Sequence, residues 1–369
     1  MPKSKDFLLD LRFNVFMKIY HCLGLMSGTS LDGLDIAYIR FTYPEITFEL
    51  IKTATVPYSE EWNSKLKKSI HLSGEELIKL DVDYGFLIAK KVADFIKEHQ
   101  ISNLDFIASH GHTVFHNPKE KYTLQIGNGQ AIALETGIKT VYDFRTKDVL
   151  LGGQGAPLVP IGDRFLFSIY DACLNLGGFS NISFEKKGER IAFDICPVNI
   201  VLNYLAGKEG KLYDENGELA QSGQVNEVLF LKLNELDFYG QIPPKSLGVE
   251  WSNRFILPLL DSFDLSVCDW LATFSQHISY QICRVLNENS IKNVLITGGG
   301  AYNSYLLHLI KSQTKAQVHL PEKKIIEYKE ALIFGLLGLL RLENQVNVLS
   351  SVTGAKKNHC SGCVVNENS

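Results

Sequence analysis

Residues Cys22–Phe41, CLGLMSGTSLDGLDIAYIRF, read as an apolar run, a turn of small and hydroxyl-bearing residues, and a second apolar run with two carboxylates, Asp32 and Asp35, at its start. Two strands joined by such a turn form a hairpin, so the sheet they begin is antiparallel. The form returns at Ala172–Phe184, ACLNLGGFSNISF, again strand, small-residue turn, strand. A chain that builds this unit twice is expected to have two similar halves. The intervening sequence supports that. EITFELIKTATVPYS gives a further strand. SGEELIKLDVDYGFLIAKKVADFIKEHQ has apolar residues at helical spacing behind a Ser-x-x-Glu cap at Ser73. LDFIASHGHTV and KTVYDFR are strands ending in polar loops, and GERIAFDICPVNIVLNYLAG is strand, turn, helix. LATFSQHISYQICRVLNE is helical, IKNVLITGGGAYN is a strand and a glycine-rich turn, and NSYLLHLIKSQ is helical again. Strands alternating with helices imply α/β architecture.

The bulk properties narrow the class. With 369 residues the chain exceeds one small core. A net charge of −4 gives nucleic acid no electrostatic footing. The opening residues are broken by Asp10 and Arg12 before any apolar core forms, so no signal peptide is expected and residues 1–16 are set aside as an extension. Seven scattered cysteines fit a cytoplasmic protein with reduced thiols. The pair Cys360 and Cys363 has no second CxxC to complete a zinc ribbon. The apolar run ALIFGLLGLL is too short to cross a bilayer, so no membrane partner is expected.

Turns rich in Gly, Ser and Thr offer backbone amides and hydroxyls to phosphate oxygens. Carboxylates beside phosphate repel it unless a divalent cation intervenes, so Asp32 and Asp35 point to Mg²⁺. No GxxxxGK[ST] occurs, which excludes a P-loop. One polar turn alone is more simply a matter of turn geometry. Three are present: Ser27–Asp35, Leu174–Asn181, and Leu295–Asn303 with Gly298, Gly299 and Gly300. Together they favour a nucleotide held between two lobes.

Other residues carry competing readings. Asp194 precedes PVNIVLNYL, so it is either a helix N-cap or a functional carboxylate; a positive helix terminus would also keep it ionised. Asp143, Arg145 and Asp148 follow a buried strand and are placed at a cleft, with Gly152, Gly153, Gln154 and Gly155 as a hinge or backbone-approach loop. His110 and His112 in SHGHT could begin a metal-hydrolase site. That reading is disfavoured because His277 and His308 lie in helical stretches rather than at strand ends.

GLMSGTSLDGLD, SHGHT, QIGN, DFRTKDV, GGQGAPLVP, LNLGGFSN, FDICPVN, SGQVN, PPKSLG, TGGGAYN and a late TGA occur in this order. In them the chain resembles the anhydro-N-acetylmuramic acid kinases over essentially Met17 to Ala355. The resemblance implies two RNase H-like (actin-like ATPase) lobes with a nucleotide cleft between them. It implies a first lobe over 17–147, completed by about 345–355, a second over 148–344, and a polar tail over 356–369. It implies ATP with Mg²⁺, an amino-sugar substrate, a homodimer, and a role in cell-wall recycling. By motif, Gly28, Thr29, Ser30, Leu31, Asp32, Gly33, Leu34 and Asp35 form the first phosphate loop, with Asp32 and Asp35 near the metal. The second loop is Leu176–Ser180, including Gly177 and Gly178, and Gly298–Gly300 lie against adenosine. Asp194 matches the catalytic carboxylate, while His110, His112, Arg145 and Glu330 fall on the sugar side. The family usually has glycine where this chain has Cys196 and Val198, and glutamine where it has His112. A chaperone-like or filament-forming ATPase of the same fold group is the rival class, but it leaves SHGHT, DFRTKDV and GGQGAPLVP without a reason.

Overall fold

The computed structural model describes residues 17–28 and 31–366. The expected extension 1–16 and the loop residues Thr29 and Ser30 lie outside the described residues. The first hairpin pairs β1 (Lys18–Ser27) antiparallel with β2 (Gly33–Tyr43), Met26 opposite Asp35, and β3 (Phe48–Pro57) continues the meander. The helix Gly74–Glu98 follows, its start fixed by the expected capping box between Ser73 and Glu76. It returns the chain to β4 (Phe106–Ser109), which lies parallel to β1. β5 (His112–Asn117) and β6 (Tyr122–Ile126) form a separate ribbon, and β7 (Thr140–Tyr142) runs parallel to β4.

The second half repeats this wiring. β8 (Ala172–Leu176), β9 (Phe179–Lys186) and β10 (Glu189–Pro197) form an antiparallel meander. β11 (Asn293–Thr297) is parallel to β8, and β12 (Gln317–His319) is parallel to β11. The spatial orders are β3-β2-β1-β4-β7 and β10-β9-β8-β11-β12. Numbered within each half, both read third, second, first, fourth, fifth, with the same pattern of strand directions. The duplication inferred from two hairpins is therefore a duplication of whole α/β lobes of RNase H-like topology.

Two features differ from the sequence-derived boundaries. The helix Lys323–Leu342 follows the second sheet in the chain but packs on β1, β2 and β4 of the first. A Cβ on Gly24 of β1 would sit 1.9 Å from the Ala331 carbonyl oxygen, so only glycine lets the helix backbone meet the strand. The expected polar tail is also not loose: β13 (Cys363–Val365) pairs antiparallel with β7 and becomes the outer strand of the first sheet.

Burial follows a layered scheme. One face of the first sheet packs on the 74–98 helix through Leu23, Leu25, Ile107, Tyr84 and Ile88. Its other face packs on the 323–342 helix, in a core that also takes in Cys173 and Leu295 of the second sheet. Strands covered on both faces read as continuous apolar runs, which is why residues 106–108 of β4 and 294–296 of β11 are uninterrupted apolar stretches. All seven cysteines are free, and no helix among the described residues is long and apolar enough to cross a membrane.

Candidate active site

The site-bearing turns lie at the carboxyl ends of the central strands, where open α/β sheets bind ligands. The second and third are in contact. Gly298 has φ +85°, and a Cβ there would come within 2.5 Å of Asn175 Oδ1 and 2.8 Å of the Leu176 carbonyl. Asn199 Nδ2 donates to Leu176 O at 3.2 Å. Gly177 and Gly178 direct their carbonyls to the helix Asn199–Gly207: Val198 N–H donates to Gly178 O at 2.8 Å and Asn199 N–H to Gly177 O at 3.2 Å. The Gly177 amide is used inside the hairpin, on Phe179 O, so it is not offered outward as the sequence led us to expect. Gly178 and Gly299 are exposed and Gly300 is buried.

At the first turn Leu31 takes φ +61° and Gly33 is buried against Val56. Leu34 points into the core, a structural position. Asp32 is exposed and Asp35 half-buried. Burial raises the Asp35 pKa, the 2.6 Å hydrogen bond from Thr55 opposes that, and the nearby charges of Asp32 and Glu327 raise it further.

Arg145 is the centre of the other side. Its Nε donates to His110 Nε2 at 2.9 Å and its Nη1 to Gly155 O at 2.6 Å. Burial brings its pKa down to about 10, against the pull of Glu330 and Asp148. His110 is buried with both ring nitrogens engaged: Nε2 accepts from Arg145, so Nδ1 carries the proton and donates to Gly111 O at 2.8 Å. Burial, then Arg145, hold its pKa well below the usual value. With both ring nitrogens engaged within the protein, His110 supports Arg145. His112 is buried beneath the first turn, Nδ1 3.5 Å from Ser27 Oγ, and Ser27 in turn receives the Tyr58 hydroxyl at 3.0 Å. Glu330 is open to water yet surrounded by protein mass. Crowding by that protein raises its pKa, Arg145 lowers it, and Asp35 raises it again. Arg145 and Asp35, which share no sequence neighbourhood with Glu330, are thus close enough for their charges to act on it.

Asp194 lies on β10 opposite Asn181, just before a bulge in the pairing. It is not an N-cap: that place is held by Val198, with no side-chain capping bond. The segment PPKSLG holds it instead, with Leu247 N–H donating to Asp194 Oδ2 at 2.8 Å and Asp194 N–H donating to Lys245 O at 3.1 Å. Burial raises the Asp194 pKa and the Leu247 amide partly offsets this, so the helix-terminus argument for a readily ionised carboxylate is replaced by the opposite direction. Cys196 is fully buried, its amide and thiol bonded to Ser180, and burial pushes the thiol to about 12. It is part of the core of the second half.

A family model described as anhydro-N-acetylmuramic acid kinase matches residues 20–367. The chain belongs to the anhydro-N-acetylmuramic acid kinase family. The relative in Bacillus thuringiensis (strain Al Hakam), bearing that name, is 34% identical, covering 92% of this chain and 97% of its own. Those of Haemophilus influenzae (35%; 92% and 96%) and Caldanaerobacter subterraneus (32%; 90% and 94%) carry the same name. A member of the anhydro-N-acetylmuramic acid kinase family is an ATP-dependent sugar kinase.

Within this family member, several site-supporting residues escaped sequence reasoning: Thr55 on Asp35, Leu247 on Asp194, and Thr353 and His359 on Asp148. PPKSLG and TGA are visible as motifs, but nothing local says which carboxylate each one holds.

Proposed function

We propose that this chain phosphorylates 1,6-anhydro-N-acetylmuramic acid at O6 with hydrolytic opening of the anhydro ring, giving N-acetylmuramic acid 6-phosphate and ADP. In the substrate O6 is bonded to C1, so there is no free hydroxyl to accept phosphate. Asp194 takes a proton from water as the water oxygen bonds to C1, as the base does in an inverting glycosidase. The C1–O6 bond breaks, O6 bonds to the γ-phosphorus, and ADP leaves with the electrons of the broken P–O bond. A base operates best with a pKa near the working pH. The observation that carries the reading is the setting of Asp194: half-buried on β10, its pKa raised by burial, one oxygen fixed by the Leu247 amide and Oδ1 left for the proton.

Arg145, oriented by His110, binds the sugar with Glu330, and His112 supports the wall behind them. Gly177, Gly178 and Gly298–Gly300 receive the nucleotide. Asp32 and Asp35 suit Mg²⁺: the charge on Asp35 is disfavoured by burial and by Asp32 and Glu327, a strain that a divalent cation relieves. No cluster of three or more metal-ligating side chains occurs among the described residues. Mg²⁺ is commonly held by one or two carboxylates together with substrate phosphates. Bound there, Mg²⁺ neutralises phosphate charge. The reaction belongs to cytoplasmic peptidoglycan recycling and amino-sugar catabolism.

The test is product analysis in heavy-oxygen water. Label at C1 with phosphate on O6 is expected. Phosphorylation of an open muramic sugar with the bridged one left untouched overturns the reading.

A further inference from the structure

Asp148 is wholly buried, beneath the loop that carries Gly153–Gly155. A carboxylate removed from water needs compensation by donors. Thr353 Oγ1 donates to Oδ1 at 2.8 Å, His359 Nε2 donates to Oδ1 at 2.9 Å, and the Gly155 amide donates to Oδ2 at 2.7 Å. Burial alone would raise the Asp148 pKa; these bonds bring it below the usual value. The loop is built round this carboxylate. Gly153 N–H bonds Asp148 O at 2.9 Å, Gln154 N–H bonds Thr353 O at 2.8 Å, and a Cβ on Gly153 would lie 2.2 Å from Asp148 Oδ2.

The carbonyl of Gly155 holds the arginine. Gly155 gives its amide to Asp148 and receives Arg145 Nη1 on its carbonyl at 2.6 Å. Arg145 therefore has two supports, His110 and a carbonyl whose position is set by Asp148. Two of the three donors on Asp148 come from the C-terminal segment. That segment is fastened in turn by β13, by Lys147 Nζ on Cys360 O at 2.7 Å, and by Arg341 Nε on Gly362 O at 2.7 Å.

We propose that Asp148, clamped by Thr353 and His359, is a positioning residue that sets Gly155 and through it the substrate-side guanidinium of Arg145. The sequence-expected polar tail is thereby part of the sugar site. The inference rests on Arg145 facing the sugar, so the experiment includes a readout that needs no substrate.

In the full chain, His359→Ala removes one donor and His359→Gln restores an N–H at the place of Nε2; Thr353→Val and Thr353→Ser form a second pair. Hydrogen exchange is measured without ligand, alongside steady-state kinetics with anhydro-sugar and with ATP. In His359→Ala and Thr353→Val, exchange of the Gly155 amide is expected to quicken by about tenfold or more while β8 and β9 are unchanged. The KM for the sugar is expected to rise about tenfold or more, the cost of loosening one charge-assisted contact, with the KM for ATP within about twofold. The Gln and Ser variants are expected to recover both. If His359→Ala does not fold, the Thr353 pair carries the test. Unchanged exchange at Gly155, or equal losses toward sugar and ATP, overturns the proposal. Faster exchange in these variants, with a wild-type chain that never turns over the sugar, overturns the functional reading instead and leaves the clamp standing.

Discussion

Gly298 and Gly299 are neighbours in one turn, yet the structure assigns them opposite sensitivities. Gly298 has φ +85°, and its Cβ would meet Asn175 Oδ1 at 2.5 Å and the Leu176 carbonyl carbon and oxygen at 2.8 Å. The Asn175 amide can swing aside. The Leu176 backbone cannot, because its carbonyl accepts from Asn199 and its turn is bonded to the start of the next helix. Holding alanine in that backbone region costs about 1–3 kcal/mol, and moving a packed loop by a few tenths of an ångström costs about 1–3 kcal/mol more. Gly298→Ala is therefore expected to destabilise by about 2–6 kcal/mol, the sum of those two ranges. Gly299 is exposed, and its nearest neighbour to an added Cβ is Asn199 Nδ2 at 3.6 Å, ordinary contact. Gly299→Ala is expected within about 0.5 kcal/mol of the parent, as for surface changes generally. Urea denaturation of the two variants reads the stability, and titration with a non-hydrolysable ATP analogue reads the site. If a nucleotide lies on this turn, Gly299→Ala weakens analogue binding with the melting curve intact. A loss under 1 kcal/mol for Gly298→Ala, or equal destabilisation by both, refutes the steric argument; normal analogue binding by Gly299→Ala refutes the placement of the nucleotide.

Asp194→Asn is expected to lower kcat by about 10²–10⁴ while calorimetry still shows ATP-analogue binding; substantial turnover would remove Asp194 as the base. Because burial raises the Asp194 pKa and the base acts when charged, kcat/KM is expected to fall as pH drops through a value above the ordinary carboxylate range of about 4; a pH profile flat down to about 4 contradicts this. Lys329→Met removes the cation 2.7 Å from buried Asp163, leaving that carboxylate with Ser183 and with Arg190 at 3.9 Å. The expected cost is about 3 kcal/mol, partly recovered by adding Asp163→Asn. A double-mutant cycle that shows no coupling between the two positions would contradict the ion pair.

What the sequence made legible was local. The two hairpins, the Ser73 cap and the glycine turn after β11 each carry their signal within a few residues, through strand pattern, capping chemistry or small-residue composition. Partners across the chain left no such trace. Leu247 holds Asp194 from 53 residues away, and His359 reaches Asp148 across 211. Before the fold brings them together, a backbone amide at Leu247 is indistinguishable from any other, so the N-cap reading of Asp194 drew on the only neighbours then visible. β13 was missed because three residues in a polar tail have no period to detect, and their pairing depends on β7 being an open edge.

The helix Lys323–Leu342 shows how one such long-range contact fixes a functional group. Lys329 is buried and points to Asp163 at 2.7 Å, and Arg190 of β10 approaches the same carboxylate. Burial alone would lower the Lys329 pKa, but the Asp163 charge more than offsets it, so the lysine stays charged. Successive residues on an α-helix are turned by about 100°. Once Lys329 is bound to Asp163, the helix cannot rotate without stranding a buried charge, and Glu330 stays where the charges of Arg145 and Asp35 act on it. Buried ion pairs contribute little net stability, but breaking one is costly, so they act well as register pins. Here the pin joins the helix that packs on the first sheet to a carboxylate also approached from the second. The direction in which Glu330 leaves the helix is therefore tied to the Asp163 contact, and a change that breaks the Lys329–Asp163 pair is expected to free the helix register that sets Glu330.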